Sequence, residues 1–549
     1  MKTIKYILLS AVLIGFTACN DEEDYEITEP EVVLPELSAG SANFSKYVSL
    51  GNSLTAGYTD NALFIAGQEN SFPNTLSQKF ALLGGGAFTQ PLMNDNYGGL
   101  IAGGQVVVNP MTGDTLFKPR LVFGGAGPVA LESLNPLAVP TTDFALNNPT
   151  GPFNNLGVPG ALSFHLLGNG YGNLANFPAA ANPYAIRIAG NTDASIIELA
   201  MDQTPTFFSL WIGNNDVLGY ATSGGASGSL TDQATFDFAY GTLISTLTSQ
   251  GAQGVVANIP DVTTIPYFTT VPFAPLDPTN EDFGPLIPTL NGVFGQLNQV
   301  FAYLESQGVP NATDRQIVFS ETAASPVVVF DEGLMNLSAQ ITGVLNASPT
   351  FPAFVQSFGL PAEAAGDVAT LFGLIYGQAR QANADDLLVL PSASIIGEVN
   401  EGFAAFLETQ NLPPALAAQF ATEGVTLPLE DKWVLLPAEQ AEIAIATNGF
   451  NSTISATASQ AGLAFVDANL LLTQLANGGI TTGDFTLTSN LVTGGAFSLD
   501  GVHPNARGYA LIANEFMRAI DATYGSNFEA SGNFVDVGNY PTNYSENLQ

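Results

Sequence analysis

The sequence predicts an α/β protein, a three-layer α/β/α sandwich with a central parallel sheet. Four short, largely apolar runs are typical of strands that are covered on both faces. They are residues 46–50, 206–212, 254–259 and 463–467. Stretches with apolar residues at helical spacing alternate with these runs. They cover residues 236–249, 286–304, 437–461 and 505–522. Such alternation favours helices on both faces of the sheet.

Two segments exceed what this core needs, so we expect them to be insertions into one domain that spans residues 46–525. Residues 60–150 are rich in Gly, Pro and Asn with weak periodicity. Residues 270–435 mix Pro-bounded helical stretches with loops. Residues 526–549 form a polar and aromatic tail in which we predict no regular element.

The N-terminus has the features of a secretion signal. Lys2 and Lys5 precede an apolar run at 7–16, which is too short for a bilayer span of about 20 residues. Small residues then lead to Cys19, and this pattern resembles the cleavage box of bacterial lipoproteins. We expect a signal peptide at 1–18 and acylation of Cys19; the alternative is an ordinary secretory signal with a chance cysteine. The chain has no other cysteine, so we expect no disulfide.

The residues after Cys19 predict an extended tether, over about 19–45. Positions 20–37 hold eight acidic side chains and no basic one, and like charges with little apolar surface disfavour packing. An acidic stretch at this place also resembles the surface-export signal of Bacteroidetes-type lipoproteins. We therefore expect an outer-membrane lipoprotein, either exported to the cell surface or carrying only a solvated linker here.

Overall charge excludes one class of partner. The formal net charge is −37, from 49 acidic and 12 basic residues, so phosphate backbones are repelled and nucleic-acid binding is not expected. Only 11% of residues are charged while 46% are apolar, which indicates an apolar surface or a large apolar pocket.

The residue inventory favours a hydroxyl nucleophile. The two histidines, His165 and His503, lie far apart, and neither GxxxxGK[ST] nor GxGxxG opens a helix after a strand. We expect neither a metal nor an organic cofactor. Ser53, in Gly51-Asn52-Ser53-Leu54, follows a predicted strand end, where open α/β sheets place ligands. The alternative for Ser53 is a simple helix cap.

A base for Ser53 is available near the C-terminus. Asp500 and His503 are three residues apart, and Pro504 keeps His503 out of the helix that follows. In this arrangement the carboxylate can orient the imidazole while its other nitrogen faces a serine. The alternative is a surface turn with a polar cap.

Two further segments at strand ends offer hydrogen-bond donors for an oxyanion. Asn215 follows the 206–212 run, and Gly157 lies in a Gly-rich turn. Donors held toward a developing oxyanion contribute about 3–4 kcal/mol each to catalysis. Asp216 is expected to fix its loop, and His165, in an apolar stretch, to be a packed structural histidine.

Together, the blocks Gly-Asn-Ser-Leu, Asn-x-Gly, Gly-x-Asn-Asp and Asp-x-x-His, in this order, resemble the SGNH/GDSL hydrolase family. The resemblance covers 46–60, 150–265 and 436–522 and implies a flavodoxin-like sandwich. It implies that Ser53 is the nucleophile, His503 the base and Asp500 its orienting acid. The implied oxyanion hole consists of the Ser53 N–H, the Gly157 N–H and the Asn215 amide. Asn52 departs from the family, which has Asp there, and this could weaken the positioning of Ser53.

The resemblance implies hydrolysis of an acyl ester, with a lipid or an acylated glycan as substrate. The 270–435 insertion could form a lid or wall over an acyl chain, as in a lipase, or only a helical subdomain packed on the core. The alternative enzyme is a carbohydrate O-acetylesterase. The alternative outside enzymes is a surface lipoprotein that uses the fold to dock an outer-membrane protein partner.

Overall fold

A parallel sheet of five strands forms the centre of the protein, of which the computed structural model describes residues 33–548. The strands are β1 (Tyr47–Gly51), β2 (Asn155–Gly157), β3 (Phe207–Trp211), β4 (Gln253–Ala257) and β5 (Ala464–Val466). Their order across the sheet is 2-1-3-4-5, and Gly51 at the end of β1 pairs with Gly157 and with Trp211. The chain passes from β1 to both sides, and such a switch point is where open α/β sheets form a crevice.

Helices cover both faces of this sheet, which confirms the predicted three-layer α/β architecture. The helices around the sheet include α1 (Ser53–Ala56), α2 (Phe72–Ala81), α3 (Asn215–Thr222), α4 (Gln233–Thr248), α5 (Pro437–Ala461) and α6 (Ala506–Tyr524). Side chains alternate along each strand, so Phe207 packs with α2 and α6 whereas Phe208 packs with α4 and α5. Both phenylalanines are fully buried.

The four predicted strands and four predicted helices are present, with bounds shifted by at most three residues. Strand β2 lies in a segment that was predicted to be a turn. Further elements near the sheet are the helices Pro183–Ala189 and Ile196–Met201 and the hairpin of Ile480–Thr482 with Phe485–Leu487.

The first insertion is smaller than predicted, because α2 lies within 60–150 and belongs to a core layer. The rest of it contains the helices Ile65–Glu69 and Leu131–Leu134 and two short hairpins. The hairpins pair Ile101–Ala102 with Gln105–Val106 and Leu121–Phe123 with Pro128–Ala130.

Both ends of the described chain pack on the domain. Phe44 is only 2% exposed, so the predicted tether ends before this residue, and residues 19–32 lie outside the described part. The predicted tail is also held: Phe528 is buried, and the buried Arg120 guanidinium donates to the carbonyls of Tyr544 and Ser545.

The second insertion builds a hydrophobic core of its own from residues between 271 and 436. Its helices are Ile287–Ser306, Ser338–Ala347, Phe351–Gln356, Ala365–Tyr376, Glu401–Thr409 and Pro414–Phe420. Two small strand pairs join Val328–Phe330 to Ala379–Gln381 and Leu387–Leu388 to Val434–Leu435. A separate core makes this segment a helical subdomain. Within residues 33–548, no helix combines the length and the hydropathy needed to cross a bilayer.

Candidate active site

Ser53 lies where β1 turns into α1, at the carboxyl edge of the sheet. The turn is tight because Gly51 has no side chain: a Cβ there would lie 2.2 Å from Thr55 Oγ1 and 2.3 Å from the Trp211 carbonyl oxygen. Asn52 caps α1, and its Oδ1 accepts a hydrogen bond from Leu54 N–H at 3.0 Å. As the first residue of a helix, Ser53 has an N–H that no helical carbonyl can accept.

His503 and Asp500 complete a relay with Ser53. His503 Nε2 lies 2.9 Å from Ser53 Oγ, and His503 Nδ1 lies 2.9 Å from Asp500 Oδ2. Ser53 is 7% exposed, and the His503 side chain is 14% exposed, so solvent reaches the relay only at its edge. The structure thus brings together the three residues that the sequence analysis had grouped.

Asp500 is held as a carboxylate. Burial alone would raise its pKa, but the imidazole of His503 and the N–H donors around it outweigh burial and lower the pKa to about 2. The donors are the backbone N–H groups of Val502 and His503, both at 2.8 Å, and that of Asn61 at 2.9 Å. A carboxylate fixed in this way can orient the imidazole and stabilise its charged form.

A second buried carboxylate supports the loop that carries Asp500. Asp60 is 1% exposed; its Oδ1 accepts from Leu499 N–H at 3.0 Å, and its own N–H donates to Ser498 Oγ at 3.0 Å. Ser498 Oγ in turn donates to Asp500 Oδ1 at 2.9 Å. Asp60, Asn61 and Ser498 could not be predicted from the sequence, because nothing in the local sequence marks contacts across more than 430 residues.

Asn52 also contacts the residue that precedes α3, after the end of β3. Its Nδ2 donates to Asn214 Oδ1 at 3.1 Å, and both side chains are buried. A carboxylate at position 52 could accept from Leu54 N–H but could not donate to Asn214. The amide at position 52 therefore has a hydrogen-bond partner in Asn214, and the cap that positions Ser53 is intact.

Asn215 and Asp216 begin α3 directly after Asn214. Asn215 Nδ2 donates one hydrogen to the Ala161 carbonyl at 2.9 Å, and its second hydrogen has no protein acceptor within residues 33–548. Asp216 accepts from Ser163 N–H at 2.9 Å and from Ser163 Oγ at 2.7 Å. Asp216 therefore fixes a neighbouring loop, as predicted.

Gly157 is placed differently from the prediction. Its N–H donates to Asn155 Oδ1 at 3.0 Å, so this hydrogen is already engaged within the strand. A Cβ on Gly157 would lie 2.3 Å from the Ala56 nitrogen, so the residue allows α1 to pack closely on β2. Gly160 on the same loop is exposed with φ +80°, and within the described chain its N–H makes no protein hydrogen bond.

His165 lies outside the relay. Its Nδ1 accepts from Leu162 N–H at 3.1 Å, and its ring stacks on Tyr171 with 4.8 Å between centroids. Burial lowers the pKa of His165, which favours the neutral ring that this hydrogen bond requires. These contacts are those of a packed structural histidine. Cys19, the predicted lipidation site, lies outside the described residues.

Residues that immediately precede the two insertions border the relay. The Tyr58 ring lies 4.7 Å from the His503 ring, between centroids, and Tyr58 OH donates to the Asn61 carbonyl. On the other side, Tyr267 N–H donates to the Gly501 carbonyl at 2.9 Å. The loop that carries Asp500 and His503 thus contacts the chain just before the first insertion and just before the second.

Three carboxylates meet where the second insertion joins α5. Oxygens of Glu332, Asp431 and Glu439 all lie within 4.8 Å of one another. Burial and mutual repulsion raise the pKa of Asp431 to about 6 and that of Glu439 to about 8. Protons held near neutral pH thus reduce the repulsion between these groups. No side chain of the Ser53 relay belongs to this cluster.

Scans of the chain against protein-family models, curated proteins and solved structures find no match. The interpretation of the site therefore depends on its own geometry.

Proposed function

We propose that this chain is a serine ester hydrolase of the SGNH/GDSL type. The observation that carries the proposal is the unbroken relay from Ser53 Oγ through the His503 ring to Asp500, with 2.9 Å at each step. Residues 450 positions apart meet in this geometry at the carboxyl edge of a parallel sheet. A serine, a base and an orienting acid at these distances are the groups that acyl transfer requires.

In the proposed reaction, Ser53 Oγ attacks the ester carbonyl while His503 Nε2 takes the hydroxyl proton. His503 then gives this proton to the departing alkoxide, and an acyl-serine remains. Water attacks the acyl-serine and loses a proton to Nε2, and His503 returns this proton to Ser53 Oγ as the bond to the acyl group breaks and the acid leaves. Asp500 holds the Nδ1 proton and stabilises the imidazolium formed in both steps.

For the oxyanion we propose three donors: the Ser53 N–H, the second Asn215 amide hydrogen and the Gly160 N–H. Gly160 replaces the predicted Gly157, because the Gly157 hydrogen is already bonded to Asn155. Gly160 precedes Ala161, whose carbonyl binds Asn215, so the two donors lie on adjoining groups. Each such donor contributes about 3–4 kcal/mol to acyl transfer.

We also propose that the enzyme is a lipoprotein of the outer membrane, anchored through Cys19. Support comes from the sequence pattern around Cys19 and from the acidic stretch that follows it. The proposed partners are the membrane, through the anchor, and an acyl ester of a lipid or glycan.

A fluorophosphonate probe tests the nucleophile directly. We expect it to label the wild-type chain at Ser53, and Ser53→Ala to lose labelling and at least about 10⁴-fold of the kcat for p-nitrophenyl acetate. Ser245→Ala, which removes an exposed hydroxyl on α4, is the matched control and should keep both. A folded wild-type protein that neither reacts with the probe nor hydrolyses the ester would instead favour the docking-module alternative.

A further inference from the structure

The second insertion contains a groove with a volume of about 670 Å³. Its lining is mainly apolar and includes Pro272, Leu276, Phe283, Leu290 and Phe420. Most ligand pockets that bind small molecules have volumes of about 300–1,000 Å³ and an apolar lining with a few polar groups. The groove therefore has the size and the surface of a binding site for an extended apolar group.

Two short helices connect this groove to the catalytic loop. The helix Pro266–Thr269 starts against Gly501, where Tyr267 N–H donates to the Gly501 carbonyl, and its next residue, Thr270, lines the groove. In the 3₁₀ helix Leu390–Ser394, Leu390 packs on Gly501, with its Cδ2 3.1 Å from where a Cβ would be, and Ala393 lines the groove.

These helices have one turn or a little more each, and a helical residue advances the chain by about 1.5 Å along the axis. One end of the groove therefore lies within roughly 10 Å of Gly501. Gly501 belongs to the loop that carries Asp500 and His503, so this end of the groove lies near that loop.

We propose that this groove is the acyl subsite of the enzyme and that its substrates are uncharged medium- or long-chain acyl esters. The inference rests on the proposed ester hydrolysis at Ser53. The acyl chain lies along the apolar lining with its ester carbonyl at Ser53, and the alcohol part remains toward the solvent.

The restriction to uncharged esters follows from the negative charge of the groove and of the whole chain. Asp277, Asp282 and Glu398 line the groove, and the chain as a whole has a formal charge of −37. No lysine or arginine is among the lining residues, so an anionic headgroup would meet repulsion without a counter-charge. Anionic amphiphiles are therefore poor ligands for this site.

A chain-length series of p-nitrophenyl esters, from acetate to dodecanoate, tests the subsite. Each methylene that moves from water into the groove should raise kcat/KM by up to about fourfold, until the groove is full. Leu286→Glu places a charge on the exposed wall of the groove and should flatten this rise. Leu374→Glu, at an exposed leucine of the same subdomain outside the groove, is the matched control and should behave as wild type.

A second variant and a binding measurement keep the test independent of Ser53 chemistry. Thr289→Trp fills part of the groove from an exposed position and should also remove the preference for long chains. The Ser53→Ala protein should bind a fluorescent uncharged monoacylglycerol analogue. Adding Leu286→Glu should weaken this binding at least tenfold. An anionic dodecyl phosphate should not compete with the analogue for the groove.

The outcomes separate the two proposals. A wild-type enzyme that hydrolyses acetate but shows no gain with chain length, or a gain that Leu286→Glu and Thr289→Trp leave intact, overturns the acyl subsite. A wild-type chain without activity on any ester overturns the proposed function. Binding of the monoacylglycerol analogue that depends on Leu286 would still support the groove as an acyl site in that case.

Discussion

Replacing Asp60 by Asn tests the buried support beneath the catalytic loop. Asp60 lies beside Asp500 in the protein interior and binds the backbone of Leu499. An asparagine keeps the oxygen that accepts from Leu499 N–H but does not ionise. The change therefore removes one titration and leaves the shape of the site nearly constant.

The magnitude follows from proton linkage. Burial, opposed by the Leu499 hydrogen bond and reinforced by Asp500, raises the pKa of Asp60 from 3.8 to about 7. A carboxyl group whose pKa is raised on folding binds its proton more tightly in the folded state, so it lowers the free energy of unfolding as the pH rises from about 4 to about 7. With about 1.4 kcal/mol for each pKa unit, Asp60 should destabilise the wild type by about 2–3 kcal/mol more at pH 8 than at pH 5.

Urea unfolding at pH 5, 6, 7 and 8 measures this effect. The free energy of unfolding of Asp60→Asn, minus that of the wild type, should increase by about 2–3 kcal/mol across this range. Asp202→Asn, an exposed surface change, should run parallel to the wild type and serves as the control. Parallel curves for wild type and Asp60→Asn, with both proteins folded at pH 5, would refute the raised pKa of Asp60.

Two further changes test the polar contacts that hold the site. Asn214→Asp keeps an acceptor for Asn52 Nδ2 and should lower stability little, whereas Asn52→Asp together with Asn214→Asp buries two facing carboxylates. In urea unfolding, the double variant should lose at least about 2 kcal/mol of unfolding free energy beyond the sum of the two single changes. Simple additivity would contradict the pairing of these side chains. Ser498→Ala removes a donor from Asp500 and leaves Asp60 N–H unsatisfied, so the free energy of unfolding should fall by about 1–3 kcal/mol and kcat should fall several-fold. Ser498→Thr, which keeps the hydroxyl, should restore kcat. An unchanged kcat in the alanine variant would show that Asp500 does not need this hydroxyl.

The layers of the fold could be predicted because local sequence patterns indicate the strands and helices that form them. The run from Thr206 to Ile212 is largely apolar. Helix α5 has Pro437 at its first position and Gly462 after its end, which are standard helix boundaries. Strand β2 was missed because Asn-Leu-Gly has no strand propensity, and its pairing to β1 depends on tertiary contacts. The separate core of the second insertion likewise depends on which apolar residues meet in space. The periodicity of the sequence does not carry this information.

The relay could be predicted because its residue types are rare and their order is informative. With two histidines in the chain, a base for Ser53 had to be His165 or His503, and only His503 has a carboxylate three residues before it. The proposed oxyanion donor was harder to predict, because from the sequence alone any glycine N–H in a turn is a candidate. Which N–H is free depends on the side chain of Asn155, and only the structure shows that it binds Gly157.

The path of the chain into the domain links the proposed anchor to the choice of substrate. Glu36, Ser38 and Ser41 bind to Tyr524, the last residue of α6, and to Asn527 just after it. Because α6 starts beside the catalytic loop and ends at the amino edge of the sheet, the chain enters at the end opposite Ser53. The 14 residue-to-residue steps from Cys19 to Val33 can reach at most about 50 Å. An anchor at Cys19 would therefore hold the amino edge toward its own membrane and present Ser53 away from it. Esters that approach from the surroundings, rather than lipids of the anchoring bilayer, are then the substrates that the site meets first.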